Sequence, residues 1–250
     1  MDLRETKNFD GIEEEVNHWW IRTRFNYINE IIEYYNSNNI NIVEYGCGTC
    51  NNIYHLINNS PHSSKINSII GIDPNLENLD NPVWAKDSNC FFYNSLSSTY
   101  KADIILAMDV LEHIKEDHTA LKEWRNTLKP DGLLLITVPA FQHLWSSHDI
   151  FLGHYKRYNN KSLNDLANSA GLEAVRIHYI FSFIYPLVYF LRKCLPRDFN
   201  SNGDLKKSNY IINSILTFMG YLEYKLGGSK NFGTSVVGIF KNGGHDIYQE

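Results

Sequence analysis

Apolar and polar positions along this chain follow two rhythms in turn, and the pattern changes near residue 140. Residues 16–36 place Val16, Trp20, Ile28, Ile31, Ile32 and Tyr35 at helical spacing, which predicts an amphipathic helix. INIVEYG at 40–46 is a short apolar run closed by glycine and predicts a buried strand; INSIIGIDP at 66–74 predicts a second, stopped at Asp73-Pro74. CFFYNSL at 90–96, ADIILAMDV at 102–110 and GLLLITVP at 132–139 predict three more. Between the last two, residues 117–132 are amphipathic through Ala120, Leu121, Trp124 and Leu128, a helix ended by Pro130 and Gly132. Strands that are apolar on both faces and alternate with helices need cover on two sides, which implies a doubly wound α/β sheet, mostly parallel.

Beyond residue 140 the chain is irregular, aromatic and His-rich to 161, then reads as a helix over 162–172 and a strand over 173–181. A helical region split by the polar stretch 197–209 precedes a last strand at 234–242, the seventh. No repeat or composition break divides the chain. The expectation is one domain over 1–250: a helical cap at 1–38, a core at 39–140, and a region at 141–250 with a helical insertion at about 182–230.

Composition narrows the function. A hydrophobic fraction of 43% with 20% charged residues excludes a disordered chain, and the 250-residue length allows a core without staples. Net charge is −5 and no Lys/Arg run exceeds two, which argues against nucleic acid as a partner. Cys47 and Cys50 form a C-x-x-C pair, but no second pair completes a zinc site, so no metal is expected. The start, MDLRETKNFDGIEEE, is acidic and polar rather than a leader, and the apolar run 179–191 is short of the roughly 20 residues that span a bilayer. A cytoplasmic protein is expected.

The chemistry concentrates at Val43-Glu44-Tyr45-Gly46-Cys47-Gly48-Thr49-Cys50-Asn51. A buried strand ending in G-x-G ahead of a helix lets backbone pass close to a ligand. The dinucleotide fingerprint wants a third glycine where Asn51 stands, which weakens a nicotinamide reading. Asp73, closing the second strand, suits a ribose diol, because one carboxylate accepts from two hydroxyls. Glu44-Tyr45-Gly46-Cys47-Gly48, Ile72-Asp73, Asp109-Val110-Leu111-Glu112-His113-Ile114 and Leu128-Lys129-Pro130-Asp131-Gly132 together resemble the class I S-adenosylmethionine-dependent methyltransferases over about residues 40–140. Cys50 stands where that family commonly has a third glycine.

The resemblance implies a Rossmann-like methyltransferase fold, S-adenosylmethionine as cofactor and S-adenosylhomocysteine as product. It implies that Glu44, Gly46, Cys47 and Gly48 line the methionine end, and that Asp73 and Pro74 meet the ribose. Ser95 and Leu96 would lie beside the adenine, with Met108, Asp109 and His113 near the sulfonium. His18-Trp19-Trp20 with Arg22 and Arg24, Leu144-Trp145-Ser146-Ser147-His148-Asp149, and Gly153-His154-Tyr155-Lys156-Arg157-Tyr158 are similar to a bacterial subgroup often found in envelope or glycan biosynthesis. That likeness implies a small-molecule acceptor, a sugar, phosphate-linked or lipid-linked glycan precursor methylated on oxygen, met by Trp19, Arg24, Trp145, Arg157 and Tyr158.

In open α/β sheets ligands sit beyond the carboxyl ends of the strands, where the segment after Pro139 emerges. His148, Asp149 and His154 are the candidate catalytic groups there; His148 is the first choice for general base and His154 the second. Adjacent Trp19 and Trp20 are expected on different helix faces, one in the core and one over the cofactor. Three roles stand open for the C-terminal insertion: a lid, a homodimer surface in place of a monomer, or a patch resting on a membrane with Arg192, Lys193 and Arg197 at its edge. Two other functions remain in view, an NAD(P)-dependent oxidoreductase and an inactive cofactor-binding scaffold.

Overall fold

The computed structural model describes residues 9–74, 82–85, 88–194 and 209–243. Seven strands form one sheet in the order β3-β2-β1-β4-β5-β7-β6. They are β1 (Ile40–Tyr45), β2 (Ile66–Ile72), β3 (Cys90–Tyr93), β4 (Ala102–Met108), β5 (Leu128–Pro139), β6 (Leu172–Ile180) and β7 (Ser235–Asn242). The first five pair in parallel, while β7 runs antiparallel between β5 and β6. The helices are α1 (Ile12–Val16), α2 (Trp19–Tyr35), α3 (Asn51–Asn58), α4 (Asp117–Thr127), α5 (Ser147–Leu152), α6 (Asn160–Ser169), α7 (Tyr185–Cys194) and α8 (Tyr210–Lys225).

The period-2 geometry of the central strands sorts their side chains into two cores. Ile104, Leu106 and Met108 of β4, with Leu133 and Leu135 of β5, face α2 and α3. Ile105 and Ala107, with Leu134, Ile136 and Val138, face α4 and α6 through Leu121, Trp124, Leu163 and Ala167. The doubly wound prediction is therefore the observed fold. On the α2 side a further layer is added, because α8 packs on the outside of α2.

Element bounds depart from expectation at three places. Val16 belongs to the short α1, and the helix expected over 16–36 begins at Trp19 after a break at Asn17 and His18. Leu128 was expected on the amphipathic helix, yet it is extended (φ −71°, ψ 143°) and opens β5, pairing with Ala102. Pro130 drives Lys129, the residue before it, out of the helical region, so the helix cannot run on past Leu128, which is itself already extended. Within the irregular stretch 141–161, Ser146 and Asp149 close a reciprocal capping box that nucleates α5. The polar stretch expected between the two halves of the insertion lies almost entirely outside the described residues, as does Arg197.

Candidate active site at the carboxyl ends of the strands

The chain turns sharply where β1 ends. Gly46 has φ 64°, and its backbone N–H reaches the carbonyl of Ile72 at 2.7 Å, so β1 and β2 hold the turn between them. A Cβ at Gly46 would sit 2.4 Å from a Val110 methyl, so only glycine fits. Cys50 takes the left-handed conformation (φ 63°) at the N-terminus of α3, the backbone shape that a glycine would adopt there. Cys47 and Cys50 are buried as free thiols, 3.8 Å apart at sulfur. The contact with Cys50, together with burial, pushes the Cys47 thiol up, so it stays protonated.

Polar groups converge on this turn. Gly48 N–H donates to Asp73 Oδ2 at 3.0 Å, which sets the carboxylate at the end of β2 against the glycine loop. Asn52 of α3 donates to Glu44 Oε1 at 2.6 Å. Glu15 of α1 accepts from Thr49 (2.6 Å) and Asn51 (2.7 Å), tying the N-terminal cap to the loop. At the end of β4, Asp109 sits at φ 55° and its Oδ2 lies 2.9 Å from the Arg24 guanidinium, which in turn stacks 4.5 Å over Trp20.

This group of charges is imbalanced. Burial pushes Glu44 up to about 7 despite the Asn52 bond, and burial with the neighbouring Asp109 pushes Glu112 well above the carboxylate range. Glu44 Oε2, Asn52 Oδ1 and Glu112 Oε2 are buried without a hydrogen-bond partner. Buried polar atoms left this way call for a ligand that satisfies them. Three carboxylates around one arginine favour a cationic one. A ligand carrying an ammonium and a sulfonium, with a ribose diol for Asp73, matches that donor set. Met108 is buried beneath this cluster, Leu96 is half-buried in the second core, and Ser95 and Pro74 are exposed at the rim.

A second cluster stands beside the first. Asp149 of α5 is fully buried and accepts from Ser146 N–H (2.9 Å), His154 Nδ1 (2.9 Å) and Arg157 (2.7 and 3.1 Å). Burial alone would raise its pKa, but His154 and Arg157 outweigh that and hold the carboxyl well below its usual range. An ionised Asp149 makes Nδ1 of His154 the donor and leaves Nε2 with the lone pair. The His154 ring meets His113 at 4.7 Å, and Glu112, His113 and His154 each bring one donor atom within 4.8 Å of the others. Glu112 and Asp109 belong to one turn, so the two clusters adjoin.

The structure separates the other expected residues. His148 lies on the first turn of α5, whereas the imidazole bonded to Asp149 is that of His154. Arg157 also donates to the Ala140 carbonyl, and Tyr158, 3% exposed, gives its hydroxyl to Asp117 at 2.9 Å; both bonds brace the loop. Trp145 is half-buried after a single turn of 3-10 helix. Trp19 and Trp20 do not part company: both rings meet Phe181, at 5.5 and 6.0 Å, because an indole reaches around the helix toward a common neighbour. Glu15 and Asn52 were not anticipated; Asn52, just inside α3, had a positional signal, while Glu15 had none. A cleft of about 760 Å³, with Glu14, Arg22, Asn26, Tyr210, Thr217 and Phe218 in its wall, opens between α1, α2 and α8.

A methyltransferase-domain family matches residues 20–177, more than half of the chain. A ubiquinone biosynthesis O-methyltransferase of Bradyrhizobium diazoefficiens is 32% identical over 76 residues, which span 28% of this chain and 30% of that protein. One from Glaesserella parasuis is 45% identical over 42 residues, 17% of this chain and 18% of that protein. Among solved structures, a SAM dependent methyltransferase from Archaeoglobus fulgidus superposes with TM-score 0.54 at 15% identity, covering 95% of this chain and 97% of that one. The N-methyltransferase NodS from Bradyrhizobium japonicum, in complex with S-adenosyl-L-homocysteine, gives 0.51 at 12% identity, over 89% and 87%. With the glycine turn, the acidic strand ends and the 3-2-1-4-5-7-6 sheet, these matches set the oxidoreductase alternative aside, and the chain belongs to the methyltransferase-domain family, whose cofactor is S-adenosylmethionine.

Proposed function

We propose that this protein methylates a hydroxyl of a small-molecule acceptor, with His154 as the general base. The observation that carries the reading is the His154–Asp149 pair set against the Glu112-His113 turn that also carries Asp109. Bound S-adenosylmethionine supplies an electrophilic methyl group on a sulfonium. Glu44 and Asp109 would favour its cationic groups, Asp73 would hold the ribose hydroxyls, and the Gly46–Gly48 backbone would let it approach. His154 Nε2 takes the proton that the acceptor hydroxyl sheds, and Asp149 stabilises the imidazolium that results. Arg157 keeps Asp149 ionised and fixed.

The acceptor we favour is a sugar, phosphate-linked or lipid-linked glycan precursor. The names of the matched relatives support oxygen as the acceptor atom and make a phenolic hydroxyl the second arm of the test. Transfer of a labelled methyl group to a panel of lipid-linked sugars and of phenols checks both. His154→Ala is expected to lower kcat by about 10²–10⁴ while S-adenosylmethionine affinity is kept, and His148→Ala by less than about tenfold. Full turnover by His154→Ala would overturn the assignment of the base.

A further inference from the structure

Helix α8 is built inside out. Its inward stripe, packed on α2, is polar or small: Asn213 accepts from the Trp19 backbone, Gly220 lies against Thr23, and Glu223, 9% exposed, accepts from the backbone of Phe181 and Ser182. Its outward side carries Ile211, Ile212, Ile215, Phe218, Met219 and Leu222, all exposed, with Leu226 just beyond. At about 100° per residue these seven fall within an arc of about 120°. A surface helix of a water-facing protein shows the reverse arrangement. α7 adds Leu187, Phe190 and Leu191, also exposed.

Within α7, α8 and the stretch that follows, the charge open to solvent has one sign, while Glu14 of α1 shares the wall of the cleft lined by Phe218 and Tyr221. Over 182–194 and 209–234 Arg192 turns inward onto Asp149 and the Leu144 carbonyl, the remaining cations are Lys193, Lys225 and Lys230, and the one carboxylate, Glu223, is buried. Lys193 and Lys225 lie over tyrosine rings, at 5.9 Å from Tyr189 and 5.4 Å from Tyr221, with their stems along apolar surface. All this belongs to a chain of net charge −5. In a twofold dimer the same patch would meet itself and bring like charges together. An anionic bilayer surface instead matches the apolar arc with acyl chains and the lysines with headgroups. Among the described residues no helix is long and apolar enough to cross a membrane, so the contact is one of lying on the surface.

We propose that the outward face of α8 is a docking surface for anionic lipid bilayers, which would place the methyltransferase at the membrane–water interface. The full chain is tested by co-sedimentation with vesicles of phosphatidylcholine alone or with about one third phosphatidylglycerol. Binding is expected to the anionic vesicles and to weaken as salt rises. Ile215→Ser with Phe218→Ser should abolish it, and Lys193→Glu with Lys225→Glu should weaken it about tenfold or more. These side chains are exposed, so S-adenosylmethionine affinity and the melting temperature should match the unaltered protein and confirm that the variants fold. Failure to bind either vesicle overturns the proposal. So does a concentration-dependent dimer that Ile215→Ser with Phe218→Ser converts to monomer, which would assign the face to a second copy of this chain.

Discussion

Glu44 shows how burial sets function at the scale of one residue. Its folded pKa of about 7 lies above its ordinary 4.5, so between these values the native state keeps a proton that the unfolded chain has released. Stability therefore falls as pH rises from about 4.5 to 7 and then levels off. Glu44→Gln removes that cost and is expected to stabilise the unliganded protein by on the order of 2 kcal/mol at pH 8, with no gain at pH 4, as read by thermal melts at both. The same change should weaken S-adenosylmethionine binding about tenfold, because a cation prefers the ionised carboxylate. Calorimetric titration of the unaltered protein should show tighter binding as pH rises through 7. Asp73→Ala is expected to cost more affinity than Glu44→Gln, since Asp73 would serve the ribose and also holds the Gly48 loop. Asp149→Asn leaves Arg157 buried beside a neutral group, so a loss of about 3–5 kcal/mol in urea unfolding is expected alongside the loss of kcat.

Elements were legible from the chain where one principle acted alone. Four of the five parallel strands carry runs of Ile, Val or Leu apolar on both faces, a pattern that sheet burial produces, while the edge strand β3, CFFY, alternates half-buried and exposed residues. Capping and proline chemistry moved the boundaries: Pro130 kept the helix from running on past Leu128, and the Ser146–Asp149 box made a helix inside a stretch with no apolar period. Asp149 thus caps α5 and orients His154 with the same carboxylate. The seat of α8 on α2 depends on close approach at one glycine, where a Cβ would fall 2.1 Å from Thr23 Oγ1. Gly220→Val is expected to cost about 1–3 kcal/mol by overpacking against Thr23, visible as a lower urea midpoint.

For the whole molecule, the decisive feature is that the chain's last described strand is not at an edge. β7 runs antiparallel between β5 and β6, so residues from 235 onward complete the centre of that half of the sheet. Truncation after residue 233 would leave β5 and β6 with unpaired inward edges and open both cores at Val236, Val237, Ile239 and Phe240. Circular dichroism of that fragment is expected to show no cooperative unfolding transition.

What the sequence determined by itself was local. Apolar periods defined the strands, glycine and proline marked the turn at Gly46 and the end at Asp73-Pro74, and the resemblance of the motifs at 44–48, 72–73, 109–114 and 128–132 to class I methyltransferases implied the cofactor. These signals are written within a few residues of the groups they describe. Tertiary structure decided what meets across the chain: Arg24 with Asp109, Glu15 with Thr49 and Asn51, His154 rather than His148 with Asp149, and the polar face of α8 turned inward. Such pairings depend on how separate elements dock, and docking is set by the whole core, which no short window of sequence contains.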